Sequence, residues 1–221
     1  MRESYHQELN DVLNRMLFMA ELVSKAVERS SGALLNSDLA LAEGVITDDA
    51  QLDELHEELE FKCLSLLARQ APVAGELRTI VSAIRVVFEL ARMGDLAAHV
   101  AKIARLRYPE SAVPEALREN FTRMAAIAQD MIDLAGRTLA ERDAKAALGL
   151  AVDDAEMDDL RRNQFRILLG DDWQEGVEKA VDTALLGRYY ERLADHAVAV
   201  GRRVVYIITG ETLTGEDWPN A

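Results

Sequence analysis

The sequence predicts an all-helical fold, with six long helices arranged as two tandem homologous three-helix bundles, from three observations. Apolar residues recur at three- and four-residue spacing over nearly the whole chain; no segment of period-two alternation competes, and aromatics are only 5% of residues. The four prolines, Pro72, Pro109, Pro114 and Pro219, fall between or after the periodic segments, where a residue lacking a backbone N–H ends a helix without breaking one. The second half also repeats the first at a nearly constant offset.

The first helix carries Leu9, Val12, Leu13, Met16, Met19, Ala20, Val23, Ala26 and Val27 and runs to about residue 36. Ser37 and Asp38 then offer a side-chain cap for the second helix, which bears Leu39, Ala42, Val45, Ile46, Leu52, Leu55, Leu59 and Leu66. The segment around Pro72 ends it. A third helix runs from Leu77 to about Leu106, with Leu77, Ile80, Ile84, Phe88 and Ala91 as its buried stripe. The two-proline turn from Arg107 to Pro114 is the strongest break in the chain. It divides residues 1–108, the first bundle, from 109–221, the second bundle with a short C-terminal tail. Helices are expected there at about 115–141, 144–169 and 173–209, the last carrying Val177, Val181, Leu185, Leu193, Val200, Val204 and Ile207 as its apolar stripe.

The repeat supports that division. Asp38, Gly44, Asp48, Asp49, Asp53 and Leu55 recur 105 positions later as Asp143, Gly149, Asp153, Asp154, Asp158 and Leu160. Arg92, Asp95, Ala97 and Val100 recur 100 positions later as Arg192, Asp195, Ala197 and Val200. The contraction falls between the Pro72 turn and its counterpart at Gly170 to Trp173, so an interhelix connection absorbs it.

Composition narrows the function. The chain of 221 residues can bury a substantial core, and no apolar stretch approaches the roughly 20 residues needed to cross a bilayer. Its formal net charge of −14 argues against nucleic-acid binding, which normally needs a clustered basic face, and against an anionic membrane surface. The N-terminal MRESYHQELNDV has no apolar signal-like region, and the single Cys63 occupies a helical position suited to a small buried hydrophobe. No Gly-rich phosphate loop, nucleophile elbow or Cys/His pair is present, which argues against a conventional enzyme.

The chemistry lies in carboxylates. Asp49 and Asp53, like Asp154 and Asp158, are four apart and share a helical face. Glu191 and Asp195 provide a facing pair in the second half, and paired carboxylates on facing helices are how bundle-core metal sites are built. The first half keeps Asp95 but has Ala91 where the Glu would stand, and Glu89 is rotated too far to substitute. A plainer reading makes Asp48, Asp49, Asp53, Glu54, Glu57 and Glu58 a solvated acidic face. Asp95, continuing a stripe that looks buried, calls for an arginine or a metal ion as partner. His99 and His196, each near a repeated Asp, are expected to form ion pairs, and His56 is expected to be solvated or satisfied.

The stretches from Ala33 to Asp53 and from Gln70 to Ile80, together with Ala91-Arg-Met-Gly-Asp95 and Glu191-Arg-Leu-Ala-Asp-His-Ala197, resemble the PhoU family from about Tyr5 to Gly210. Arg78, Arg92 and Arg192 belong to these motifs. The resemblance implies a cytoplasmic protein, often a homodimer, that represses the phosphate-starvation response and restrains phosphate uptake. It would act as an adaptor between the ATPase subunit of the phosphate ABC transporter and the phosphate-sensing histidine kinase. It also implies multinuclear iron or zinc on Asp154, Asp158, Glu191 and Asp195, with an incomplete counterpart at Asp49, Asp53 and Asp95. The alternatives are a metal-binding helical scaffold regulating a different transporter, and a ferritin-like di-iron protein, whose paired Glu-x-x-His motifs are missing here.

Overall fold

The computed structural model describes residues 2–212, with the side chains of residues 2–4 and 70 left undescribed. Pro219 and the tail beyond residue 212 lie outside the described residues. The helices are α1 (Arg2–Asn36), α2 (Leu39–Gln70), α3 (Ala74–Arg107), α4 (Glu115–Glu141), the single turn α5 (Ala144–Ala147), α6 (Leu150–Leu168) and α7 (Gly176–Thr209). Six long helices are therefore present among the described residues, as expected.

Local chemistry sets several of the ends. Asp38 caps α2 by accepting from the Leu41 amide at 3.0 Å, and its repeat partner Asp143 accepts from Lys145 and Ala146 at 2.9 Å. The fifth helical segment is not continuous as expected. Between residues 145 and 152 the amides of Leu148, Gly149, Ala151 and Val152 each bond three residues back, a tighter winding that separates α5 from α6. Gly149, with its low helix propensity, sits at that break. The last helix starts at Gly176 rather than Trp173, whose indole donates to the Gly176 carbonyl at 3.0 Å.

Helices α1, α3, α7 and α4 form a central four-helix layer, in which α1 packs on α3 and α4, and α7 on α3 and α4. Outside it, α2 covers α1 and α3, and α6 covers α4 and α7. Met16, Met19, Val23 and Val27 of α1 have no exposed surface, and burying such side chains contributes about 1.5–3 kcal/mol each. Cys63 is likewise fully buried, and that burial pushes its thiol up to about 11, so it behaves as a small hydrophobe.

The bundles meet around a pseudo-twofold axis. Helices α3 and α7 run antiparallel: Arg78 donates to the Ile207 carbonyl at 3.3 Å, Glu89 meets His196 at 2.6 Å, and Arg107 pairs with Asp182 and Glu178. Shifting by 100 positions turns the Arg78 and Ile207 contact into that between Glu178 and Arg107. On the opposite face Gln129 donates to Ser24 at 2.7 Å, and these two residues are themselves repeat partners 105 apart. The buried Tyr190 hydroxyl shares a 2.9 Å hydrogen bond with Ser31, tying α7 to α1.

Two expected stripes are corrected. Leu77 and Phe88 of α3 are 42% and 51% exposed, and Val177, Val181 and Leu185 of α7 are 82%, 52% and 42% exposed. Helices packed on three sides bury wider faces than a single stripe describes, and these residues fall on the remaining outward side. The buried set of α3 includes Ile80, Ala83, Val87, Leu90, Gly94, Ala97 and Ala101.

Close approach has its sharpest consequence at Gly187, where an added Cβ would lie 1.8 Å from the Gln164 side-chain oxygen. Gln164 is fully buried, donates to the Thr183 carbonyl and accepts from Arg161 at 3.2 Å, so its amide has little freedom to retreat. Gly187→Ala should cost about 1–3 kcal/mol through those lost hydrogen bonds. In thermal denaturation each kcal/mol lowers Tm by about 2–4 °C for a chain of this size. The penalty should shrink in a Gln164→Ala background; an undiminished penalty would rule out this contact as its cause.

Candidate functional site: two carboxylate clusters

In the second bundle, α6 and α7 bring together Asp154, Asp158, Glu191 and Asp195. Burial, followed by the charges of Asp158, Asp195 and Glu191, pushes the Asp154 carboxyl up to about 6, with Arg202 opposing. Burial and then Glu191 also raise Asp195, against the pull of Arg188, Arg192 and His196. The four residues selected from spacing are thus electrostatic neighbours.

Glu191 differs from the others. Burial alone would raise its carboxyl, yet hydrogen bonds from Arg188 and Arg161 hold it below the ordinary range. The Arg188 guanidinium lies 2.7 Å and the Arg161 Nε 3.1 Å from the same carboxylate oxygen. Arg161 is fixed in turn by the Ala184 carbonyl at 3.2 Å and lies over the Phe165 ring, 4.4 Å from its centroid.

The first bundle assembles Asp49, Asp53 and Asp95 between α2 and α3. Asp49 is raised by burial, then by Asp95 and Asp53, with Lys102 and His99 opposing. Asp95 has an arginine partner, Arg92, at 2.6 Å. At the positions equivalent to Arg161, Arg188 and Glu191 stand His56, Phe88 and Ala91. All three positions therefore differ together: the bundle lacking the glutamate also lacks both arginines that neutralise it.

Several acidic residues of α2 have ordinary surface partners, as the plainer reading expects. Asp48 pairs with Arg29 at 2.5 Å, and Glu58 pairs with Arg15 and with Lys62 at 3.1 Å. His196 does meet a carboxylate, but across the bundle interface: its Nδ1 lies 2.6 Å from Glu89. His99 stacks at a tilt on Tyr189 of the other bundle, ring centres 5.3 Å apart. Among the motif arginines, Arg78 bridges to α7 over Tyr206 and Arg192 reaches the His196 Nε2 at 3.4 Å.

Sequence spacing did not single out Arg161, Arg188 or Glu89. Arg188 had a readable signal, three residues before Glu191 on the same helical face. Arg161 had one only through the repeat register, and Glu89 had none, because its partner lies 107 residues away on another helix.

These features define a class: a duplicated all-helical protein whose repeats each carry a carboxylate cluster on their outer helix pair. The PhoU domain family matches residues 16–104 and again 121–204, and the chain belongs to the PhoU family. It is 45% identical over 210 residues to the phosphate-specific transport system accessory protein PhoU homolog 2 of Mycobacterium tuberculosis, covering 95% of this chain and 99% of that one. PhoU homolog 1 of the same organism is 43% identical over 217 residues, 98% of each chain. The crystal structure of PhoU from Pseudomonas aeruginosa superposes with a TM-score of 0.86 at 29% identity, covering 94% of this chain and all of that one. A role in the regulation of phosphate transport follows from this membership.

The side chains as placed do not fit the iron or zinc that the resemblance implies. Among the described residues no three of His, Cys, Asp and Glu converge on one cation position. Glu191, the ligand that would complete the second cluster, is bound by two guanidinium groups that repel a metal ion. Asp95 of the first cluster is likewise held by Arg92. At Glu191 and Asp95 arginine supplies the neutralising charge.

The raised Asp154 gives a pH dependence of defined sign. The native state holds this proton more tightly than the unfolded chain, so stability falls as pH rises between the ordinary value of 3.8 and about 6. Above that window the penalty is complete. In chelator-treated protein, Asp154→Asn should raise Tm at pH 7.5, with the gain vanishing by about pH 3.8; an equal gain at both pH values would contradict the electrostatic origin.

Proposed function

We propose that this chain holds the phosphate-starvation response off when phosphate is plentiful and restrains phosphate uptake, acting as a cytoplasmic adaptor. Its proposed partners are the ATPase subunit of the phosphate ABC transporter and the phosphate-sensing histidine kinase. The observation that carries the reading is the end-to-end correspondence with phosphate-specific transport system accessory proteins, in both copies of the repeat. Among the described residues no helix is long and apolar enough to cross a membrane, which suits a protein that reaches the transporter from outside the bilayer.

An adaptor needs no catalytic step. It needs surfaces whose affinity for a partner differs between that partner's states, and a differential of 1–3 kcal/mol is the usual order of such coupling. We take residues 1–108 and 109–221 as its two units, so that one chain presents two related but diverged helical faces. Self-association into a homodimer belongs to the same reading.

Expression of a phosphate-starvation reporter in the source organism, grown in phosphate-rich medium, tests the proposal. Deleting the gene should switch the reporter on, and restoring it in trans should switch it off. A reporter that stays silent in a strain with no second copy would remove the phosphate assignment. A response confined to the genes of another transporter would move the adaptor role there.

A further inference from the structure

In a chain of net charge −14, the seam between α3 and α7 collects Arg78, Arg85, Arg192 and Arg203 around the Glu89 carboxylate, with Asp195 in the field of Arg192. The contacts are continuous. Arg192 touches His196, His196 Nδ1 holds Glu89 at 2.6 Å, and Arg203 lies within the fields of both Glu89 and Arg85. Arg78 then sits over Tyr206, 5.9 Å from its ring centre.

Arg85 and Arg203 contrast with the arginines that tie helices together. Arg15, Arg29, Arg69 and Arg123 each reach a carboxylate on another helix. Arg85 and Arg203 stand beside each other, and neither has an ion pair within 4.0 Å among the described residues. Arg203 is half-buried, and burial followed by the Arg85 charge lowers its pKa against the pull of Glu89, so the folded chain gathers more positive charge there than that carboxylate offsets.

The repeat provides an internal control on whether the fold needs these arginines. Across the pseudo-twofold axis Arg85 corresponds to Leu185, Arg203 to Ile103 and Arg78 to Glu178, while Arg192 corresponds to Arg92, which is paired with Asp95. At the positions of Arg85, Arg203 and Arg78 the same antiparallel packing is therefore met by two apolar residues and a glutamate, and Arg107, a basic residue of that half, is paired with Asp182 and Glu178. A basic strip that packing does not require, on an acidic protein, is explained by something that binds it.

We infer that this strip is a docking surface for an acidic segment of a partner protein, its carboxylates spaced along the α3/α7 seam. From Arg192 to Tyr206 the strip follows α7 for about 20 Å, at about 1.5 Å of rise per residue. That is too long for one small anion, and about the reach of six extended residues at roughly 3.3 Å each. An extended anionic lipid surface would also face the acidic residues around the strip, whereas a short segment confined to the strip meets mainly its arginines. The inference stands on this charge pattern and does not depend on the phosphate circuit proposed above.

The test is fluorescence anisotropy of a fluorescein-labelled decaglutamate peptide, titrated with the full chain at low ionic strength. Binding should occur despite the protein's overall negative charge and should weaken with salt. Arg85→Leu with Arg203→Ile, which installs the residues the other repeat already uses, should reduce affinity about tenfold, a loss of about 1.4 kcal/mol, with the circular dichroism and Tm preserved. Arg85→Lys with Arg203→Lys should restore most of it. Arg118→Leu with Arg137→Leu, which removes the same charge from α4, should leave binding unchanged. Absence of binding by the wild-type chain, or equal loss in the α4 variant, would overturn the inference. So would full displacement by millimolar inorganic phosphate, which would make the strip a small-anion site. Cosedimentation with phosphatidylserine vesicles that depends on Arg85 and Arg203, without peptide binding, would overturn it in favour of a membrane.

Discussion

The antiparallel contact between α3 and α7 is the constraint around which the rest of the molecule is arranged. Each of these helices is enclosed on three sides, α3 by α1, α2 and α7, and α7 by α3, α4 and α6. Helices so enclosed bury most of their circumference, and their backbones approach neighbours closely only where side chains are small. The composition follows: α3 buries Ala83, Ala91, Gly94, Ala97, Ala98, Ala101 and Ala104, and α7 buries Gly187, Ala194, Ala197 and Gly201. A Cβ on Gly94 would lie 2.7 Å from Leu52, which shows how tightly α2 is seated. The two three-helix bundles are thus joined through one central layer.

That layer leaves α2 and α6 as outer helices, and the carboxylate clusters occupy the outer pairs. Carboxylates concentrated there repel one another, and each bundle manages the repulsion differently. The second bundle adds Glu191 together with Arg161 and Arg188; the first has Ala91, His56 and Phe88 and relies on Arg92 beside Asp95. Duplication allows this divergence, because each copy keeps the packing positions while its surface charges vary independently. The same freedom accounts for the difference between the basic half of the α3/α7 seam and its counterpart bearing Leu185 and Glu178.

Much of the architecture was legible because the repeat and the helical period are properties of local order. Asp38 and Asp143 cap helices through amides two or three residues away, so their roles were visible from position alone. The grouping of Asp154 with Asp158, and of Glu191 with Asp195, followed from four-residue spacing. Leu77, Phe88, Val177, Val181 and Leu185 were misplaced because periodicity identifies an apolar stripe without saying which neighbour covers it. The break at Gly149 was missed because a shift from four- to three-residue hydrogen bonding leaves the apolar pattern almost unchanged.

The sequence by itself determined the helix class, the duplication, the family and the carboxylates that would lie near one another, since all of these depend on intervals of a few residues or on comparison of one half with the other. Only the tertiary structure decided which charges are satisfied and by whom. Glu191 is neutralised by an arginine 30 residues earlier, His196 meets a glutamate on the other bundle, and Arg85 and Arg203 have no carboxylate within ion-pair reach among the described residues. Coulomb interactions depend on distance in space, and long helices of 19 to 35 residues place side chains in contact at separations that no local pattern encodes.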